Sequence, residues 1–189
     1  LGKNFYNKFN YNFIKLLLIY FFSTISIIFL YSLSNIRLLD AVNLAFTIIS
    51  SGGFISTYKL IDIASSELQI FIIALTLLFP ILNFYIFFRI FSKKFTYQSH
   101  QEDAQLLILI LMITLIFYFF MNHGVEISGT LLAVTTSIST SGISNYTSNY
   151  DASLFFILLT FIGGSLISTS SGLKYIRFYI LLKVSYQEI

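Results

Sequence analysis

Two apolar segments of this sequence, residues 40–50 and 128–139, are too short to cross a lipid bilayer, and each is followed by glycine. A spanning helix needs about 20 predominantly apolar residues, and at about 1.5 Å per residue these segments reach only about halfway. We therefore expect each segment to enter the membrane as a short helix and to return as a loop. Asp40 and Ser128 are residue types that favour helix N-caps, so we expect the helices to begin there.

Four longer apolar segments surround the two short ones, and they predict an all-α integral membrane protein with four transmembrane spans. The chain is 57% hydrophobic and only 10% charged, whereas soluble domains carry about 25% charged residues. The net charge of +3 is small and scattered, which argues against nucleic-acid binding, and the absence of cysteine excludes disulfides and thiolate metal sites. The predicted spans are residues 13–33, 68–91, 105–121 and 152–182.

Basic residues lie at both chain ends and between the second and third spans. Lys and Arg are enriched in cytoplasmic loops of membrane proteins, so we expect both termini and the middle loop in the cytoplasm. The loops that carry the two short helices then face outward. The residues concerned are Lys3, Lys8, Lys15, Arg89, Lys93, Lys94, Lys174, Arg177 and Lys183.

The two halves of the chain match at an offset of 89 residues, which predicts one structural unit occurring twice. Thr47, Ser50 and Gly53 fall on Thr136, Ser139 and Gly142. We expect a first membrane–pore-loop–membrane unit at 1–98, with its short helix at about 40–50. The second unit covers 99–189, with its short helix at about 128–139 and its last span broken at about 163–172.

Such a unit is suited to passing a cation. The C-terminus of a short helix carries partial negative charge, and the carbonyl oxygens of the extended residues after it replace the hydration shell of a potassium ion. Serine and threonine hydroxyls there either satisfy backbone groups or line the path. The predicted filter residues are Ser50, Ser51, Gly52, Gly53, Phe54, Thr140, Ser141, Gly142 and Ile143.

Three stretches carry a family resemblance. Residues 46–57, FTIISSGGFIST, resemble the second pore loop of the Trk/Ktr/HKT potassium transporters, which is roughly STGGFST, and residues 135–143 resemble the third, which usually ends TTGF. Residues 161–177 resemble the GGxxGSTxGGxKxxR segment of this family. In the family that segment is an intramembrane gating loop below the filter, which implies gating roles for Gly163, Gly164, Ser168, Thr169, Gly172, Lys174 and Arg177.

The resemblance implies potassium uptake, with sodium as the other candidate ion, by a multi-pass protein of the bacterial inner membrane. It also implies a cytoplasmic nucleotide-binding regulatory subunit. No enzyme activity and no cofactor are expected, because no serine has a His/Asp partnership and no two carboxylates share a site. Membrane lipid is the expected surrounding partner.

The sequence also departs from the family pattern. Family members have four such repeats in one chain, whereas this chain shows only the second and third, so we expect a subunit or fragment. A second copy or another chain would supply the remaining repeats. Ile143 replaces the usual phenylalanine, and Ile167 and Ser171 replace glycines of the gating loop, which we expect to restrict that loop.

Other interpretations remain open from the sequence. The chain could be a non-conducting remnant of a split or truncated transporter gene, or another secondary transporter with a broken helix and inverted repeats. Gly53 and Gly142 fit an ordinary turn, and Gly163 with Gly164 fits close helix packing. Lys174 and Arg177 fit cytoplasmic anchors whose charges reach the membrane surface; that position and one near the ion path are both compatible with the sequence.

Overall fold

A computed structural model of the protein describes residues 2–57, 59–84, 86, 101–120, 126–143 and 153–188. Arg89, Lys93, Lys94 and the expected boundary between the two units near residue 98 lie outside the described residues. Within the described residues the helices are α1 Gly2–Leu33, α2 Leu38–Ser50, α3 Glu67–Thr76, α4 Leu78–Ile81, α5 Gln101–Phe120, α6 Ile127–Ser139, α7 Ser153–Phe161 and α8 Tyr175–Glu188, with a 3-10 turn at Leu60–Asp62.

The protein is an all-α membrane protein. Among the described residues two segments are long and apolar enough to cross a bilayer, Phe13–Leu33 with a mean hydropathy of 2.3 and Gln101–Phe119 with 1.9. On α1, large apolar side chains such as Phe22 and Phe29 are exposed rather than buried within the protein. An apolar helix with an exposed surface of this kind is solvated by lipid.

The second predicted span, residues 68–91, is not one continuous helix in its described part. The helix stops at Thr76 and resumes as the single turn Leu78–Ile81, after which Leu82 is extended. Proline has no N–H, so Pro80 cannot donate a hydrogen bond to the Thr76 carbonyl four residues earlier. The break leaves the carbonyls at the end of α4 available to other parts of the chain.

The expected N-caps of the two short helices are wrong. The helix α2 begins at Leu38 after Arg37, and α6 begins at Ile127 after Glu126, and neither preceding side chain caps its helix. The Asp40 carboxylate has other partners. It accepts hydrogen bonds from Arg37 Nε at 3.0 Å and from Ser56 Oγ at 2.5 Å.

Both short helices begin at the same end of the molecule. At the start of α3, Gln69 Nε2 donates to the carbonyl of Ser34 at the end of α1, 2.9 Å away, and α2 follows α1 directly. The Glu126 carboxyl, just before α6, interacts with the carboxyl of Glu67, the first residue of α3. The starts of α2, α3 and α6 are therefore close together, as parallel repeats require.

Helix α6 lies at the centre of the described structure and packs against α3, α5 and α7. Its Leu132 belongs to a buried cluster formed mainly by α1, α2 and α3. Its Val134 and Ile138 belong to a second cluster with residues of α4, α5 and α7. Helix α6 thus packs in the cores of both halves, and this packing fixes the position of the end of α2 relative to the end of α6.

Candidate functional site: two pore turns and an intramembrane loop

The two short helices end in the same way. Each has 13 residues and is followed by a residue in the left-handed conformation, Ser51 at φ 54° and Thr140 at φ 57°. The N–H of Gly52 donates to the carbonyl five residues earlier at 2.8 Å, and that of Ser141 does so at 3.2 Å. The offset of 89 residues therefore recurs in the backbone geometry. We call residues 50–54 the first turn and residues 140–143 the second turn.

The two turns contact each other through their backbones at Gly53. Gly53 and Gly142 have φ of 74° and 70°, a region that side chains other than glycine rarely adopt. A Cβ atom added to Gly53 would overlap the carbonyl oxygen of Ser141, whereas one added to Gly142 would meet no atom of the described residues within 4 Å. The two segments predicted to line an ion path are thus adjacent, and the contact depends on glycine on one side only.

In the first turn the hydroxyls mostly satisfy backbone carbonyls. Thr47 Oγ1 donates to the carbonyl of Phe54 at 2.6 Å, which ties the short helix to the far end of its turn. Ser50 Oγ donates to the carbonyl of Phe46 at 2.8 Å. The Ser51 hydroxyl is buried and has no hydrogen-bond partner within the described part of the chain.

In the second turn the hydroxyls bond one another. Ser141 Oγ lies 2.9 Å from Thr136 Oγ1 and 3.0 Å from Ser139 Oγ, and all three residues are buried. The cluster lies between α6 and its own turn. It holds Ser141, whose carbonyl is the group that Gly53 approaches.

The residues at the outer ends of the turns, Phe54 and Ile143, are placed differently. The Phe54 side chain is 81% exposed, whereas Ile143 is 1% exposed and belongs to the buried cluster of α1, α2 and α3. The isoleucine that replaces the family's usual phenylalanine therefore anchors the second turn in the core.

The last predicted span is broken, as the sequence indicates, by residues 162–174 between α7 and α8, which we call the intramembrane loop. The loop is fastened to the broken end of α4. The N–H groups of Ser165 and Ser170 donate to the carbonyls of Ile81 and Pro80, at 2.9 and 3.1 Å. Gly164 makes this approach possible, since an added Cβ would overlap the Ile81 carbonyl. The carbonyls freed by the break in the second span are therefore satisfied by the loop.

Lys174 braces the loop from within. Its ammonium donates to the carbonyls of Ser168 and Ser170 at 3.0 and 2.7 Å and to Ser168 Oγ at 3.0 Å. These bonds use all three donors of the ammonium group. The lysine therefore directs its charge into the loop, whereas the Arg177 side chain is exposed on α8.

Gly163 and Gly172 lie at the base of the loop. The N–H of Gly163 donates to the carbonyl of Leu173 at 2.8 Å, where Ile162 and Leu173 form a parallel bridge. Gly172 has a φ of 81° and approaches α7, because an added Cβ there would lie 2.7 Å from the carbonyl of Thr160. The two ends of the loop are thus closed against each other.

The loop contacts the second turn and the end of the helix that leads into the first turn. Thr169 Oγ1 donates to the carbonyl of Ile49 near the end of α2, at 2.9 Å. Ser171 Oγ lies 2.6 Å from Thr140 Oγ1, and the N–H of Ser171 donates to the same oxygen at 3.1 Å. The structure therefore brings the predicted filter and gating-loop residues together, with Arg177 at the edge of the group.

Two carboxylates beside this site did not emerge from the sequence as functional candidates. Glu102, at the start of α5, accepts hydrogen bonds from the N–H of Leu166 in the loop, at 3.0 Å, and from the N–H of Ile176 at the start of α8. Asp40 holds Ser56 just beyond the first turn. The sequence feature that could have identified them is a carboxylate in or beside an apolar segment, because an ionisable residue within the membrane is a functional candidate by default.

Comparisons with known proteins agree with this arrangement. No protein-family model matches the chain. The chain is 31% identical over 177 residues to the uncharacterized cation transporter MJ1485 of Methanocaldococcus jannaschii, a match that covers 90% of this chain and 36% of that protein. The fold is that of part of the potassium transporter TrkH from Vibrio parahaemolyticus, with a TM-score of 0.77 and 23% identity over 92% of this chain and 40% of the other. The resemblance predicted from the motifs is thus confirmed for the fold, and the chain spans well under half of either protein.

Proposed function

We propose that this chain forms two of the four walls of a potassium-conducting pore in a Trk-type transporter. The observation that carries the proposal is the pair of left-handed turns, each at the C-terminal end of a short helix, in backbone contact between Gly53 and Ser141. The protein would take up potassium across the bacterial inner membrane, with both termini in the cytoplasm.

The electrostatics of this arrangement favour a cation. Each short helix ends with carbonyl groups that have no partner inside the helix, and therefore with partial negative charge. Because the ends of α2 and α6 lie next to each other, the two dipoles act on the same region. Carbonyl oxygens of residues 50–54 and 140–143 are the groups that we expect to replace water around the ion. The proposal is for potassium as the main ion, with sodium as the competitor to be tested.

The arrangement of the repeats favours a pore over an inverted-repeat transporter. Inverted repeats bring their broken helices in from opposite sides of the membrane. Here the Glu67–Glu126 carboxyl pair puts the starts of α3 and α6 at the same end. In this proposal both short helices enter from the outer side, as pore loops do.

Two walls do not enclose an ion path, so the proposal requires further repeats. They would come from the remainder of a longer protein, a second copy or another chain. The chain spans 36% and 40% of the two similar proteins, which leaves room for two more units in a transporter of that size. Membrane lipid surrounds the assembly, and a cytoplasmic nucleotide-binding subunit would regulate it.

In this proposal the intramembrane loop obstructs the path below the turns. Thr169 and Ser171 place it directly against the ends of both short helices. Ions would pass only when the loop moves away. Lys174 would keep the loop folded as it moves, since its three hydrogen bonds are internal to the loop.

The test is potassium uptake in a bacterium that lacks its own uptake systems. The chain would be produced with the reading frames that flank it in its genome, and rubidium uptake and growth at low potassium would be measured. We expect rescue that Gly53→Ala abolishes. Correctly inserted protein that gives no uptake, with its flanking frames present, would contradict the proposal and favour a non-conducting remnant.

A second measurement checks the orientation of the repeats. The chain has no cysteine, so single cysteines at Thr57 and Glu126 give unambiguous labelling sites. A membrane-impermeant maleimide should label both from the outer face. Labelling from opposite faces would contradict the pore-loop arrangement.

A further inference from the structure

We propose that Ser171 and Thr169 form a latch that fastens the intramembrane loop to the second turn and to the end of α2, directly before the first turn, so that the loop cannot open without releasing these hydrogen bonds. The inference rests on the proposed function, because a latch acts on ion flow only if the turns form a filter. It adds a coupling between loop and filter, and it assigns that coupling to two hydroxyl side chains.

The contact with the second turn involves two donors on one acceptor. Thr140 Oγ1 donates to the carbonyl of Ser139 at 2.6 Å. Its oxygen then accepts the N–H of Ser171 at 3.1 Å and faces the Ser171 hydroxyl at 2.6 Å. A hydroxyl has one donor and two acceptor positions, so this arrangement saturates Thr140. The residue that closes α6 is thereby bonded to the loop and to its own helix at once.

The contact beside the first turn uses a carbonyl at the end of α2. Ile49 is the penultimate residue of α2, and its carbonyl has no partner inside the helix because the helix ends at Ser50. Thr169 Oγ1 supplies the missing donor at 2.9 Å from a position 120 residues further along the chain. The loop therefore holds the C-terminal ends of both short helices through two residues only two positions apart.

The Ser171 hydroxyl of this latch is present because the sequence departs from the family pattern at this position. The GGxxGSTxGGxKxxR segment has glycine where this chain has Ser171. Glycine offers the N–H but no hydroxyl. The substitution, which the sequence suggested would only restrict the loop, supplies the atom that lies 2.6 Å from Thr140 Oγ1.

Loss of the latch should free the loop without unfolding it. The loop's other attachments go to different groups, namely the α4 carbonyls, Lys174 and Glu102. A typical intramolecular hydrogen bond changes an equilibrium by about fivefold. We therefore expect each lost latch bond to raise the open fraction of the loop by about fivefold.

The first experiment measures basal rubidium flux in the complete transporter, without the activating regulator. Ser171→Ala and Thr169→Val should each raise basal flux about fivefold, and the double variant more. Ser171→Thr keeps the hydroxyl and should stay within about twofold of the unsubstituted protein. The matched control is Thr160→Val, which removes a hydroxyl of α7 that bonds only its own helix at Ile157.

The second experiment tests the contact directly. Thr140→Cys and Ser171→Cys together should form a disulfide on oxidation, because the two cysteine sulfurs would replace hydroxyl oxygens that are 2.6 Å apart. The crosslink should stop regulator-stimulated flux, and reduction should restore it. Each single-cysteine variant should be insensitive to the oxidant.

The outcomes separate the two proposals. If the double-cysteine protein does not crosslink, or crosslinks without loss of flux, the latch is wrong. Normal flux that neither Ser171→Ala nor Thr169→Val changes also overturns it while leaving the proposed function intact. An unsubstituted assembly with no flux overturns the proposed function and, with it, the role of the latch in gating.

Discussion

The first and second turns share a backbone conformation but differ in what holds them. The first turn is supported by Thr47 and, just beyond it, by Asp40, and its Phe54 side chain is exposed. The second turn is supported by a buried hydroxyl cluster, by Ile143 in the core and by the intramembrane loop. A local sequence repeat thus produces one turn geometry, while the surrounding chain supports the two turns through different contacts.

The difference has a physical origin in the part of the chain that comes after each short helix. After the first turn the chain continues into α3, and the α3–α4 break presents free carbonyls to the loop. After the second turn the chain leads into α7 and the loop itself. The first half therefore supplies acceptors, and the second half supplies the segment that docks on them. This division can be tested by substitutions, from the largest expected effect to the smallest.

Replacing Gly53 should do far more damage than replacing Gly142. Both residues have positive φ, which costs about 1–2 kcal/mol for a residue with a side chain. Only at Gly53 would the added Cβ also overlap a backbone carbonyl, that of Ser141. We expect Gly53→Ala to abolish flux and to lower the unfolding temperature of the detergent-solubilised assembly well beyond the change caused by Gly142→Ala. Equal effects would show that the two turns are not in contact at Gly53.

Replacing Lys174 should destabilise the intramembrane loop far more than replacing Arg177. Lys174→Met leaves two loop carbonyls and one hydroxyl without their donor, at an expected loss of about 1.5–3 kcal/mol. Arg177→Gln, a change of an exposed charge one turn away, should cost less than about 0.5 kcal/mol. Thermal unfolding gives the comparison, and limited proteolysis near residue 170 reports the loop. If the Arg177 variant is the more damaging of the two, the brace assigned to Lys174 is wrong.

Replacing Asp40 should affect only the first turn. Asp40→Ala removes the acceptor of Ser56, and we expect a loss of about 1 kcal/mol. The ion pair with the exposed Arg37 should contribute little. At the offset of 89 the second unit has Gly129, which cannot make this contact. Labelling of a cysteine at Thr57, next to Ser56, should speed up in Asp40→Ala, with Asp40→Asn intermediate; an unchanged rate would remove Asp40 as a brace.

The smallest expected effect concerns the carboxyl pair where the two units meet. The hydrogen bond with the Glu67 carboxyl raises the pKa of Glu126 above its ordinary value of 4.5. The folded protein then binds this proton more tightly than the unfolded chain. The stabilisation is therefore complete below about pH 4.5 and is lost as the pH rises through the raised pKa.

The check is the unfolding temperature between about pH 4 and pH 7 for the unsubstituted protein and Glu126→Gln. The glutamine variant should lose part of the pH dependence and be relatively more stable at the upper end. Parallel curves would mean that Glu67 and Glu126 do not share a proton. In that case the placement of the starts of α3 and α6 at one end would lose its support.

The sequence by itself determined the local features of this protein. Segment length and composition predicted the two short helices, the broken last span and the first and third spans, because these depend on neighbouring residues and on the thickness of a bilayer. The break in the second span was not predicted. Glycine at positions 53 and 142 predicted turns with positive φ, and the offset of 89 predicted that the turns match. The N-cap expected at Asp40 failed because its carboxylate accepts hydrogen bonds from Arg37 and Ser56 instead.

Only the tertiary structure decided which of these parts touch. Four contacts join residues that are 31 to 120 positions apart in the chain. They are the backbone approach of Gly53 to Ser141, the hydrogen bond between Glu102 and Leu166, and the hydrogen bonds of Ser171 to Thr140 and of Thr169 to Ile49. No local pattern encodes such pairs, because they depend on where α4 breaks and on how α6 packs between two cores. Carbonyl groups left unpaired where a helix breaks or ends must find donors wherever the fold brings them, and here the loop supplies those donors to the ends of α4 and α2.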